Sequence, residues 1–359
     1  MNESRVNEFP DKASFRRDLL AWYRANARVL PWRTAPTLYK TVVSEFMLQQ
    51  TQIKTALPYF ERWMRELPGF AALASATEAR VVKLWEGLGY YTRARNLHKL
   101  ARAIAALPRP PRTPEAWLAL PGVGPYTAAA ITSISFGAPA ACVDGNVVRI
   151  LARLTANDTG FRDSASAAKY FAPLANALIG TTNPGDHNQA MMELGATVCL
   201  RQNPSCIICP VRAHCAAARM SAPETFPRLA AKKIEGQKIA RIWVLDAKRT
   251  AVLLHRAAPS ARRLAGIFEL PAPENLGLSE KDIAAKHAKK ITEQKRSITR
   301  YRITEIFFEL SPGAALRKRM AAQIAGSNGT LHWVPLGELP RVTLSGPHRR
   351  IVDAHFAKE

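Results

Sequence analysis

Two carboxylates far apart in the chain and four clustered thiols are the residues best suited to chemistry. Glu45 lies in VSEFMLQQTQ, Val43 to Gln52, among Val43, Phe46, Met47 and Leu48. A carboxyl group desolvated by such neighbours has a raised pKa and can carry a proton at neutral pH, as a general acid must. On the segment alone, Glu45, Gln49 and Gln52 at i, i+4 and i+7 also fit a solvated stripe on an amphipathic helix. Asp144, in CVDGNVVRILARL, precedes an apolar helical pattern. It reads first as an N-cap worth about 1 kcal/mol, with Gly145-Asn146 in the turn. The amides that satisfy such a cap also favour an ionised acid.

Cys199, Cys206, Cys209 and Cys215 are spaced C-x6-C-x2-C-x5-C. Four thiolates so close in sequence suit either zinc or an iron–sulfur cluster. A single short CxxC knuckle favours the cluster, and Cys142 is left over as a small buried hydrophobe. LALPGVGPYTAAAITSISFG, Leu118 to Gly137, reads as helix, tight turn and helix. Gly122 and Gly124 permit the turn, Val123 sits between them, and the amides opening the second helix suit a phosphate. WEGLGYYTRARNLHKL, Trp85 to Leu100, places aromatics at a glycine turn with Arg93, Arg95, His98 and Lys99 behind. That pattern suits insertion into a base stack, and equally core tyrosines beneath a solvated face.

The elements that must hold these residues read as helices from about residue 12 to 215, with apolar positions at three and four and Pro or Gly punctuation. TVVSEFMLQQTQIKTALPYFERWM reads as one such run. The expected organisation is an all-α domain over 1–217 with the cysteine loop at 199–215, a connector at 218–240 and an α+β domain at 241–359. In the last domain SEKDIAAKHAKKITEQ, 279–294, is expected to be helical and RIWVLDA, AVLLHRA, GIFELP, ITRYRITEIFFEL and LHWVPL to be strands.

The formal charge is +23, with 51 Lys+Arg against 28 Asp+Glu, and 47% of residues are hydrophobic. Both parts of the chain are basic, which points to a polyanion such as nucleic acid. The N-terminus lacks the apolar run of a signal peptide, and no stretch approaches the ~18 apolar residues of a membrane span. An intracellular, cytoplasmic and DNA-associated protein is expected, bacterial and monomeric, with no membrane partner.

Taken in order over residues 12–215, these motifs resemble the helix-hairpin-helix base-excision DNA glycosylases. The cysteine spacing resembles the 4Fe-4S loop of the endonuclease III and MutY branches. Where the lyase-competent branch carries a lysine after the hairpin this chain has Tyr126, which removes the Schiff-base amine. VSEFMLQQTQ, GLGYYTRARNLHK, LPGVGPYTA, VDGNV and NQAMMELGATVC resemble the MutY-type adenine DNA glycosylases. The resemblance implies one 4Fe-4S cluster and, as partner, double-stranded DNA with a flipped-out adenine.

It further implies that Glu45 protonates the leaving base and later activates water, while Asp144 stabilises an oxocarbenium-like sugar, a division of labour known from glycoside hydrolysis. Tyr126 and Asn146 would orient the carboxylates, and Arg28, Trp32 and Gln189 would build the adenine pocket, with Gln189 standing where some members have glutamate. Gln50 and Tyr90, with Leu88 nearby, match the intercalating residues. Arg33, Thr51, Gly122, Val123 and Gly124 are expected among the substrate and DNA contacts. Residues 241–359 resemble a Nudix-like lesion-recognition domain without the REx2EExG metal set. Its hairpin tip offers Thr299-Arg300 after Ile298, where the family has Ser/Thr-His after an aromatic. The alternatives are a thymine-mismatch glycosylase and a non-catalytic helix-hairpin-helix DNA-binding protein.

Overall fold

A computed structural model describes residues 9, 11–231, 233–261, 263–284, 288–298 and 300–356. Two compact units result: one comprises residues up to Ser75 together with Asn96–Ala231, the other Ala76–Arg95 and the chain beyond Ala231.

The first unit contains α1 (Lys12–Asn26), α2 (Pro31–Thr34), α3 (Leu38–Leu48), α4 (Ile53–Glu66) and α5 (Phe70–Ser75). The chain then forms α6 (Glu78–Leu84), which belongs to the second unit, and α7 (Thr92–Ala105), whose first turn does too. The helices α8 (Pro114–Leu118), α9 (Pro125–Phe136), α10 (Gly145–Leu154), α11 (Ser164–Ile179), α12 (Pro184–Thr197) and α13 (Ala216–Arg219) return to the first. The apolar faces of α1, α10, α11 and α12 share a core that includes Phe15, Leu19, Val148, Leu151, Phe171, Leu174 and Leu194. Cys142 is buried with Ala129 and Ala130 in a smaller cluster. The unit is not wholly helical, because β1 (Gly160–Phe161) and β2 (Arg228–Leu229) make a short parallel pair.

The single helix expected across residues 41–64 is two. Gln50 adopts φ 56°, a left-handed conformation that breaks the hydrogen-bond ladder between Leu48 and Ile53. The polar run Gln49–Gln52 has no apolar face to oppose that break.

In the second unit β3 (Glu235–Trp243) begins inside the segment expected to be a connector. It runs parallel to β7 (Tyr301–Leu310), which pairs antiparallel with β6 (Ala288–Ile298). A second sheet places β4 (Ala251–Arg256) between β5 (Phe268–Glu269) and β8 (Leu331–Pro335). The helices are α14 (Glu280–Ala284), α15 (Ala314–Ala325) and α16 (Gly346–Phe356). The expected helix over 279–294 is therefore corrected: α14 ends at Ala284, and 288–298 is strand. Its Lys, Glu and Gln residues suit a helix, but a long antiparallel ladder to the aromatic and β-branched β7 decides the outcome. Among the described residues no helix is long and apolar enough to cross a membrane.

Candidate active site

A cavity of about 780 Å³ in the first unit brings together Glu45, Tyr126, Asp144 and Asn146 with Arg28, Trp32, Arg33, Gln50, Thr51 and Gln189. Four of the helices that line it have their starts set locally. Thr37 caps α3 by accepting from the Lys40 amide, and Gly124 and Pro125 open α9. The Asp144 carboxylate caps α10, while Pro184 opens α12.

Glu45 is buried in the last turns of α3, so it does not belong to a solvated stripe. Burial raises its pKa from 4.5 to about 7; the nearby Asp144 adds to this, while a hydrogen bond with Tyr126 and the Arg33 charge oppose it. The Tyr126 hydroxyl lies 3.4 Å from Met192 Sδ. It can donate to the Glu45 carboxylate, or accept from the carboxylic acid while donating to the sulfur. A folded-state pKa above the unfolded one means that stability present below pH 4.5 is lost as pH rises through 7. Glu45→Gln is therefore expected to be more stable than the parent at pH 8 by roughly 3 kcal/mol, the difference vanishing near pH 4. Denaturant unfolding at the two pH values checks this.

Asp144 Oδ1 accepts from the backbone amides of Asn146 and Val147 at 2.9 and 2.8 Å, and Oδ2 from Asn146 Nδ2 at 3.2 Å. These bonds and the Arg149 charge favour the anion, but burial is the larger influence and carries the pKa above its usual value. The cap amides act in the expected direction, with burial opposing them. Asn146 Oδ1 in turn accepts from Arg149 Nη2 at 2.9 Å, and Arg149 also donates to the carbonyls of Gly195 and Cys199, each at 2.8 Å. Gly195 is needed for this approach, because a Cβ there would stand 2.6 Å from Asn146 Cβ. Arg149 thus links the aspartate's partner to the first cysteine.

At the other wall Glu193 is buried on α12 and pairs with Arg28 and Arg33, whose charges hold its pKa down against burial. Arg33 Nε donates to Gln189 Oε1 at 3.1 Å. The sequence reading passed over Arg149, Arg153 and Glu193. Their one local signal is a charged residue recurring on an otherwise buried helix, as in VVRILARL and MMELG.

In the hairpin Gly122 takes φ 74°, Val123 is buried, and Gly124 precedes α9. A Cβ at Gly122 would meet the Asn96 side chain at 2.5 Å. Gln50 is exposed on its left-handed turn. In the second unit Tyr90 is exposed with φ 48°. Leu88 is instead buried, so its side chain is not presented for insertion; its carbonyl accepts from Arg93 at 3.1 Å. Arg300 stacks on Tyr301 and faces Glu235, whereas Thr299 lies outside the described residues.

Cys199, Cys206, Cys209 and Cys215 line one recess. Among the described residues no group of three or more His, Cys, Asp or Glu is arranged as a finished metal site. The donor chemistry nevertheless fits an anionic cluster. Arg153, almost fully buried, donates to Cys199 Sγ at 3.2 Å and to the carbonyls of Leu200 and Arg201 at 2.7 and 3.0 Å. The buried guanidinium would offset the negative charge of a cluster held by four thiolates. Arg201 and Arg212 of the same loop are exposed.

The family described as HhH-GPD superfamily base excision DNA repair protein matches residues 43–172, which contain both carboxylates, Tyr126 and Asn146. The adenine DNA glycosylase of Rattus norvegicus is 44% identical over 224 residues, covering 59% of this chain and 43% of its own. That of Buchnera aphidicola subsp. Acyrthosiphon pisum is 37% identical over 240 residues, 66% of this chain and 68% of its own. The chain spans about two fifths of the length of the mammalian relatives it matches. A solved thermostable thymine-DNA glycosylase superposes with a TM-score of 0.52 at 26% identity, covering 58% of this chain and 97% of that one.

Proposed function

The chain belongs to the adenine DNA glycosylase family of the helix-hairpin-helix superfamily, and from that premise we propose that it hydrolyses the N-glycosidic bond of adenine mispaired with 8-oxoguanine or guanine in duplex DNA. The observation that carries this reading is the placement of a protonatable Glu45 and a multiply hydrogen-bonded Asp144 on one cavity. Glu45 delivers its proton to the departing purine, which leaves as a neutral base. Asp144 faces the sugar as the C–N bond lengthens and offsets the cation that develops. Glu45, now ionised, takes a proton from the water that attacks the sugar. Without an amine at position 126 the product is an intact abasic strand.

Extruding the base costs a few kcal/mol, and Gln50 and Tyr90 are assigned to fill the gap. The hairpin amides grip the phosphate backbone. The second unit is assigned the Nudix-like role of checking the opposite base, through a tip at Thr299-Arg300 that departs from the family pattern. The functional division proposed is catalysis in 1–217 and recognition in 241–359.

The test is single-turnover base release from duplexes carrying A opposite 8-oxoguanine, A opposite G, and T opposite G. Release of adenine from the first two, and of no thymine from the third, supports the reading. Thymine release would favour the mismatch-thymine alternative, and binding without any release the non-catalytic one.

The four cysteines are assigned one 4Fe-4S cluster, which would order the basic loop of Arg201 and Arg212 for DNA binding. Purified protein is expected to be brown, with visible absorption that Cys206→Ser abolishes together with much of its duplex affinity. Colourless protein carrying stoichiometric zinc would overturn that assignment.

A further inference from the structure

We propose that Glu193 is a positioning residue that fixes the hydrogen-bonding polarity of Gln189, so that the cavity offers the extruded base an amide donor and no acceptor at this position. The inference rests on the adenine reading above and goes beyond it, because it assigns how one wall of the pocket discriminates among bases.

Glu193 and Gln189 are four residues apart and share one face of α12, lining the same cavity. The Glu193 carboxylate is engaged on both oxygens. Oε1 accepts from Arg28 Nε at 2.5 Å and from the Arg28 amide at 3.3 Å; Oε2 accepts from Arg28 Nη2 and lies against Arg33 Nη1, both at 3.0 Å. Arg33 Nη1 also donates to the Arg28 carbonyl at 3.3 Å, and the guanidinium stands over Tyr23 at 5.5 Å. Arg33 is therefore held on three sides, with its Nε aimed at Gln189.

A guanidinium has donors and no acceptor, so only the oxygen of the Gln189 amide can face it. The contact from Arg33 Nε to Gln189 Oε1 at 3.1 Å uses that oxygen. The NH2 end is left for a guest in the cavity, and it can satisfy a ring nitrogen but not an exocyclic amine. With Glu193 neutral, Arg33 loses its anchor and Gln189 is free to turn its carbonyl toward the base. The exocyclic amine of adenine would then gain an acceptor that the parent protein withholds.

The experiment measures single-turnover release, at saturating protein, from duplexes that carry adenine or unsubstituted purine opposite the same base. Purine lacks the 6-amino group, so the ratio of the two rates between variants reads the contact to that group and cancels intrinsic lability. Glu193→Gln is expected to raise the adenine-to-purine ratio about tenfold, the worth of one hydrogen bond. Glu193→Asp, which keeps the carboxylate, should return the ratio toward the parent value. In a Gln189→Met background Glu193→Gln should leave the ratio unchanged. Arg33→Met, which removes the donor while leaving Glu193 paired with Arg28, should raise the ratio as well and serves where Glu193→Gln does not fold. A variant that slows both bases equally, or a shift that persists without Gln189, overturns the proposal while leaving the glycosylase reading intact. A parent protein that releases neither base overturns both.

Discussion

Glu45→Gln is expected to lower the single-turnover rate of adenine release by about 10³-fold, within the 10²–10⁴ range of general acid catalysis, while changing duplex affinity by no more than a few-fold. Gln keeps the size and polarity of the side chain but has no acidic proton to give. The pH profile carries the same claim independently. Burial places the Glu45 pKa at about 7, so the acid form is present below that value and depleted above it. For the parent protein the rate constant should be level on the acid side and fall about tenfold per pH unit beyond 7. That limb should be absent from the residual activity of Glu45→Gln, since the titrating group is gone. Such a variant combines lost activity with the gain in stability expected at pH 8, which separates a catalytic role from a structural one.

Asp144→Asn should cost about 10²–10³-fold in rate while leaving the start of α10 capped. Asn serves as an N-cap nearly as well as Asp, so the amides of Asn146 and Val147 keep an acceptor and α10 keeps its start. What disappears is the negative charge beside the sugar. Asp144→Ala should show a comparable rate loss and in addition lose about 1 kcal/mol of stability, because the two amides are orphaned. Rates and denaturation midpoints measured on both variants distinguish the cap from the charge. Equal rates for parent and Asn variant would mean that Asp144 only caps the helix.

Features fixed by neighbours in sequence were legible before the structure. The Asp144 cap, the glycine turn before α9 and the apolar setting of Glu45 each follow from a few adjacent residues. Features fixed by distant partners were not. Glu193 finds Arg28 and Arg33 across more than 150 residues of chain, and Arg149 and Arg153 of α10 reach carbonyls of the cysteine loop 47 to 50 residues away. Nothing in the local pattern of either helix names those partners. The left-handed Gln50 was hidden because apolar residues on both sides of it keep helical spacing. Strand β6 was hidden because its composition suits a helix and only the ladder to β7 overrides that preference. The burial of Leu88 follows from the packing of its loop, with Arg93 over the Trp85 ring and bonded to the Leu88 and Gly89 carbonyls.

The most direct measurement separates the products of a single turnover on a duplex with one adenine opposite 8-oxoguanine, quantifying free base and strand integrity together. One equivalent of free adenine, with the strand whole until alkali is added, is the predicted result. A duplex that is bound but yields no adenine, or a strand nicked without alkali, would contradict the assignment of Glu45 and Asp144 as the acid and the stabilising anion of a hydrolytic glycosylase.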